Sequence, residues 1–299
     1  MFNTRLAKQT LLLMFVLAPA LSHGQAAVVA SIKPLQLIAA AITDGVSTPK
    51  LLIPANQSPH NFSLRPSEVR RLAQADIVMW VGPGLETYLT NMFAQEAKRE
   101  RLLEAATLPG IVLLDLVDHA HEHSADEHYD PHLWLSTVNA LVLAQALHDK
   151  LVMIDGAHAG QYSANLREFQ ASLEVLDDTL QQQFAPLSTA KFAVFHNGTQ
   201  YFEDQVGLQH QFVLVPDHEI QPGIRHLLGL RVQLADQPVT CLFEDVNSNE
   251  ATINTVFQDN PVRRVMLDPL GDAVALSKAG YQQLISNMAT AMQQCLSPQ

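Results

Sequence analysis

Between Asp118 and Trp134 the chain reads DHAHEHSADEHYDPHLW, a polar run of four histidines and five acids that ends in a fifth histidine, His132, in a different setting. His132 follows Pro131 and precedes Leu133, Trp134 and Leu135, so it stands where a charged loop turns into an apolar segment. Imidazole is a common ligand for zinc and also suits copper, nickel and iron, while carboxylates add oxygen ligands for harder ions. The chemistry open to these residues is to gather a metal along the loop, through His119, His121, His123 and His128, and to hold it where His132 is fixed. The same composition also describes a solvated charged loop, and a histidine at the edge of a core can be a hydrogen-bonded structural residue. What decides between them is which other residues the fold brings to His132.

The elements that would do so alternate between strand and helix. Ala27 to Ser31, Lys50 to Ile53, Asp76 to Val81 and Ile111 to Leu114 are short apolar or β-branched runs that read as strands. Leu35 to Ile42, Pro66 to Gln74 and Leu85 to Lys98 read as the helices between them. Ser136 is placed to cap a further helix whose apolar face would carry Val138, Leu141, Val142 and Leu147. Then comes the longest periodic segment: Tyr162, Leu166, Phe169, Leu173, Leu176, Leu180 and Phe184 recur at intervals of three and four, which predicts one helix of about 25 residues, roughly 37 Å long. Too few heptads are present to favour a coiled-coil seam over a connector.

Beyond Pro186 the alternation resumes. Lys191 to Phe195, Gln211 to Val215, Thr240 to Phe243 and Val262 to Leu267 are the strands, with helices over Thr199 to Val206, Ile224 to Ala235 and Ser277 to Leu296. The reading is an α/β fold of two Rossmann-like lobes with parallel sheets, residues 27–157 and 186–299, joined by a long rigid helix over 158–185. A histidine-rich loop at 118–130 belongs to the first lobe.

In open α/β sheets ligands bind beyond the carboxyl ends of strands. His60 lies in the loop after Lys50 to Ile53, His132 follows the histidine-rich loop, His196 directly follows Phe195, and Asp268 follows Val262 to Leu267. Two come from each half, so a metal held by all four would sit in a cleft between lobes. Each has an ordinary structural alternative as well: a helix cap for His60, a satisfied strand-end residue for His196, a simple turn for Asp268-Pro269. No pair has the close spacing that makes a metal motif strong by itself.

The N-terminus carries Arg5 and Lys8, an apolar run from Leu11 to Leu21 and small residues around Gly24 to Ala26, the pattern of a secretory signal peptide over residues 1–26. No later run reaches transmembrane length. The formal charge is −12, and loss of Arg5 and Lys8 with the signal makes it −14. That balance argues against nucleic acid or an anionic membrane as partner. In an oxidising compartment the two cysteines, Cys241 and Cys295, are expected to form one disulfide.

The segments Ser58-Pro59-His60-Asn61-Phe62-Ser63-Leu64-Arg65-Pro66-Ser67, Asp130-Pro131-His132-Leu133-Trp134-Leu135, Phe195-His196-Asn197-Gly198 with Tyr201-Phe202, and Leu267-Asp268-Pro269-Leu270-Gly271 resemble the zinc-binding ZnuA proteins, the receptors of bacterial ABC importers. The similarity runs in the same order from about Val28 to the C-terminus. It implies a periplasmic, monomeric, non-enzymatic receptor that binds Zn²⁺ in the cleft and delivers it to an inner-membrane permease and its ATPase. By the same resemblance His60, His132 and His196 match the three histidine ligands, and Asp268 or water completes the site. Pro59 stands where some zinc members have a glutamate. The alternatives are a manganese or iron receptor of the same class, a zinc-dependent hydrolase, for which no HExxH-type base is present, and a metal-dependent adhesin, which a lipobox cysteine would favour.

Overall fold

The computed structural model describes residues 25–115, 129–216, 222–246 and 248–297. The signal segment up to residue 24 and the four loop histidines lie outside the described residues. The first lobe holds four parallel strands, β1 (Val28–Ala30), β2 (Lys50–Leu51), β3 (Ile77–Trp80) and β4 (Leu102–Glu104), in the order β2-β1-β3-β4. The second holds β5 (Phe192–His196), β6 (Phe212–Val215), β7 (Cys241–Glu244) and β8 (Arg263–Met266), in the order β6-β5-β7-β8 and again all parallel. Both lobes thus repeat one topology. In each, the first strand has its successor on one side and the third strand on the other, and this reversal opens a crevice beyond the carboxyl ends.

Helices α1 (Lys33–Thr43), α2 (Pro66–Ala73), α3 (Thr87–Ala94) and α4 (Thr137–Ile154) belong to the first lobe. Helix α5 (Ala159–Phe184) crosses to the second, where α6 (Gln200–Val206), α7 (Ile224–Asp236), α8 (Glu250–Phe257) and α9 (Gly280–Leu296) follow. All seven residues of the apolar stripe on α5 are buried. At 26 residues the helix is about 39 Å long, and it touches α1 and α4 of the first lobe and α6 and α9 of the second. Its start is pinned by the buried Asp155, which accepts the Tyr162 hydroxyl and faces His158 Nδ1, both at 2.8 Å.

One apolar cluster runs through both lobes, from Val28 and Leu35 across Phe169, Leu173 and Phe184 to Met288. Strand β5 shows how the second sheet divides: Phe192 and Val194 face this cluster, whereas Ala193 and Phe195 face a smaller one with Leu227, Leu234 and Val256 of α7 and α8. That is the period-two alternation of a sheet covered on both faces. Helix α9 packs back onto α1 so closely that a Cβ at Gly280 would come within 2.6 Å of Leu37 Cδ2. Cys241 and Cys295 form the disulfide, tying β7 to α9 with their Cα atoms 6.0 Å apart.

Two local expectations are corrected. Ile111 to Leu114 is not a strand; it runs extended, with the Asn139 side chain bonded to both the N–H and the carbonyl of Val112 and the Tyr201 hydroxyl accepting the Leu114 N–H. The fourth strand is Leu102–Glu104 instead, three residues inside a charged, helix-favouring stretch that masks them. On α4 the buried face is Ala140, Leu143, Ala144, Leu147 and Leu151, while Val138 points out at 55% exposure. Ser136 does cap this helix, accepting the Asn139 N–H at 3.3 Å. Helix α8, capped by Asn249, has no counterpart in the sequence reading. Among the described residues no helix is long and apolar enough to cross a membrane.

Candidate metal centre

Three turns converge between the lobes, those of His60 and His196 at the carboxyl ends of β2 and β5. His60 sits in the loop from β2 to α2, where the buried Phe62, its ring 6.0 Å from that of Tyr88, anchors the chain two residues on. Ser58 Oγ accepts the His60 N–H at 3.4 Å. His60 does not cap α2. That helix begins with Pro66 at its first position, and the Glu68 carboxylate accepts the Arg65 N–H.

His132 is held by its own turn. Proline fixes the backbone between Asp130 and His132, and the fully buried Asp130 folds back over it: Oδ1 accepts the His132 N–H at 2.9 Å and lies 2.7 Å from His132 Nδ1. A carboxylate can only accept, so Nδ1 carries the proton and the lone pair is left on Nε2. Carboxylates behind ligating imidazoles fix ring orientation and raise basicity in this way. Asp130 holds the His132 backbone and ring, and the sequence reading did not single it out. Its signal is legible afterwards as an acid two residues before the histidine, the spacing at which an aspartate side chain bonds the backbone.

His196 is the last residue of β5, paired with Val215 of β6. The chain then turns sharply into α6, with the Gly198 N–H donating to the His196 carbonyl at 2.9 Å. A Cβ at position 198 would crowd the two rings, lying 3.1 Å from His196 Cδ2 and 3.4 Å from His132 Nε2.

The ring centroids of His132 and His196 are 5.2 Å apart, those of His60 and His132 5.4 Å, and those of His60 and His196 6.0 Å. Ligand nitrogens of all three lie within 4.8 Å of one another. Around a tetrahedral zinc at about 2.0–2.1 Å they would be roughly 3.3 Å apart, so contraction of at most about 1.5 Å closes them on an ion. Asp268 lines the same pocket but stands outside this group; its carboxylate accepts the N–H of Asp272 at 3.0 Å and of Ala273 at 3.1 Å.

The pocket measures about 50 Å³, and Trp134, Val194, Phe243, Leu267 and Leu270 make much of its wall apolar. A cavity needs about 10–15 Å³ by this measure to hold one water, so the space suits an ion with its last waters. Glu244, also in the wall, is held in a fork by Arg264 at 2.7 and 2.8 Å. Tyr201, buried on the first turn of α6, donates its hydroxyl to the Asp130 carbonyl at 2.8 Å and accepts the Leu114 N–H at 3.1 Å. Burial, and after it the charge of Asp130, pushes the Tyr201 phenol up, so it remains a donor.

Two parallel α/β lobes spanned by one helix, with imidazoles from both lobes meeting in the cleft, define a two-lobed binding protein with a centre suited to a metal ion. Residues 28–295 match the ZnuA family, described as zinc-uptake complex component A, periplasmic. The chain belongs to this family. It is 34% identical to the high-affinity zinc uptake system protein ZnuA of Yersinia pestis, over 94% of each chain, and 31% identical to that of Haemophilus ducreyi, over 92% of this chain and 94% of the relative. A crystal structure of ZnuA superposes with a TM-score of 0.77 at 25% identity, covering 91% of this chain and 99% of its own.

Proposed function

We propose that this protein is a periplasmic receptor that captures Zn²⁺ with the imidazoles of His60, His132 and His196 and delivers it, as a monomer, to an inner-membrane ABC permease and its ATPase. The observation that carries the reading is the cluster itself, three ligand nitrogens within 4.8 Å at the meeting of two lobes, in a chain of the zinc-uptake family. Asp268 or water is the fourth ligand. Residues 27–157 and 186–299 act as the two lobes and 158–185 as the connector, with the histidine-rich loop as a weak collecting site.

An imidazole-rich set favours zinc over manganese, which is better served by oxygen. A zinc hydrolase would need a free base beside its metal-bound water. Of the acids in the described pocket wall, Glu244 is held by Arg264 and Asp245 is also partnered, and Asp268 is the candidate fourth ligand, which supports a receptor. Competition titration of purified protein with zinc and manganese tests this: one tight zinc per chain, not displaced by equimolar manganese, is expected. Manganese preference, or no tight site, would contradict it.

A further inference from the structure

We propose that Tyr201 is a positioning residue for His132, acting through Asp130, so that the second lobe sets the geometry of a ligand carried by the first. The inference rests on the zinc-receptor reading above and deepens it.

His196 ends β5, the chain turns at Gly198, and α6 brings Tyr201 into contact with the first lobe five residues later. There its hydroxyl lies between the two arms that lead into and out of the histidine-rich loop. It accepts from Leu114 on one arm and donates to Asp130 on the other. The arms are themselves joined, Asp130 N–H to Leu114 carbonyl at 2.8 Å and Asp115 to Tyr129 through an antiparallel bridge. The neighbouring Gln200 adds a bond from Nε2 to the Asp115 carbonyl at 3.2 Å.

By fixing the Asp130 peptide, Tyr201 fixes the carboxylate that holds both the His132 backbone N–H and Nδ1. One continuous path therefore links His196 to His132 through protein bonds alone, and these two rings are the closest pair of the three. Such a path orients His132 before any ion arrives, which lowers the ordering cost of binding.

The test is the Tyr201→Phe variant, which deletes only the hydroxyl, beside Tyr162→Phe, which deletes another buried hydroxyl, bonded to Asp155 at the start of α5. Both are measured by zinc competition titration, by thermal unfolding without metal and by the visible ligand-field bands of bound Co²⁺. Tyr201→Phe is expected to lose about 10- to 100-fold in zinc affinity and to shift the Co²⁺ bands, with Tyr162→Phe staying within about twofold and its bands unmoved. Because Tyr201 acts through Asp130, the Tyr201→Phe, Asp130→Asn double variant should lose less than the product of the single losses.

Wild-type zinc affinity and Co²⁺ bands in Tyr201→Phe would overturn the proposal, as would fully multiplicative losses in the double variant. Equal losses in Tyr162→Phe would overturn it too, by showing a general effect of destabilisation. His196→Ala separates this from the underlying reading. If His196→Ala loses zinc while Tyr201→Phe does not, only the positioning role falls; if His196→Ala keeps wild-type affinity, the receptor site falls and the positioning role with it.

Discussion

The indole Nε1 of Trp134 donates to the Pro269 carbonyl at 2.9 Å, tying the residue two past His132 to the neighbour of Asp268. The Trp134 ring also packs on His132, with centroids 5.2 Å apart. From the other side Tyr281 of α9 donates to the Trp134 carbonyl at 2.8 Å. The turn that carries His132 belongs to the first lobe by sequence, yet it is gripped by the second. With one apolar cluster continuous through both lobes, the cleft is a built feature of the resting protein.

Gly198→Ala should weaken zinc binding with little change in stability. The added methyl meets the His196 ring at 3.1 Å and the His132 ring at 3.4 Å, so the His196 ring must give by a few tenths of an ångström at the place where their nitrogens converge. Competition titration with a zinc chelator reads the affinity and thermal unfolding the stability. An unchanged affinity would show that the ring spacing tolerates an extra carbon.

Replacing Cys241 and Cys295 together by alanine should destabilise the fold and leave zinc affinity as it is. The bond closes a loop with a sequence separation of 54, between a central strand and the last helix. The chain-entropy relation gives about 4 kcal/mol for such a loop. Denaturant unfolding of the oxidised and reduced wild type, beside the double variant, measures it. The same midpoint in all three would contradict the prediction.

Stability should also fall as pH rises towards 7, on account of Glu86. This carboxyl is fully buried beyond the end of β3, and its burial, only partly offset by the Ser31 hydroxyl and the N–H groups of Val81 and Gly82, pushes its pKa up to about 7 from the ordinary 4.5. Between those values the folded state keeps a proton that the unfolded chain has lost. Its contribution is therefore most favourable below about pH 4.5 and has been lost once pH passes about 7. Glu86→Gln, which mimics the protonated acid, should match wild type near pH 5 and exceed it at pH 8 by on the order of 2–3 kcal/mol. Parallel denaturation curves for the two proteins at both pH values would rule this out.

Much of this architecture is legible in the chain. The α5 stripe could be read because seven large apolar side chains keep helical spacing without interruption, and β3 because four consecutive residues are buried on both faces. His60 and His196 stood out by following strands, which is a consequence of topology, and His132 by standing where a charged loop turns apolar. The partners of His132 were hidden for a different reason. Asp130 sits among acids that look solvated, and nothing near Tyr201 in sequence points to a contact 71 residues away. Strand β4 was missed because its pairing with β3 overrides the helical preference of its neighbours. Ile111 to Leu114 misled because the side chains of Asn139 and Tyr201 take the Val112 N–H and carbonyl and the Leu114 N–H in place of a neighbouring strand.

The central claim is that imidazoles from both lobes hold one zinc ion, and His196 is the histidine that β5 contributes from the second lobe. Zinc competition titration of wild type, His196→Ala and His196→Glu tests it most directly. His196→Ala should lose more than the roughly 10- to 100-fold that removal of an outer partner costs, and His196→Glu, which trades nitrogen for oxygen, should narrow the preference for zinc over manganese. Zinc binding by His196→Ala as tight as wild type would contradict the account.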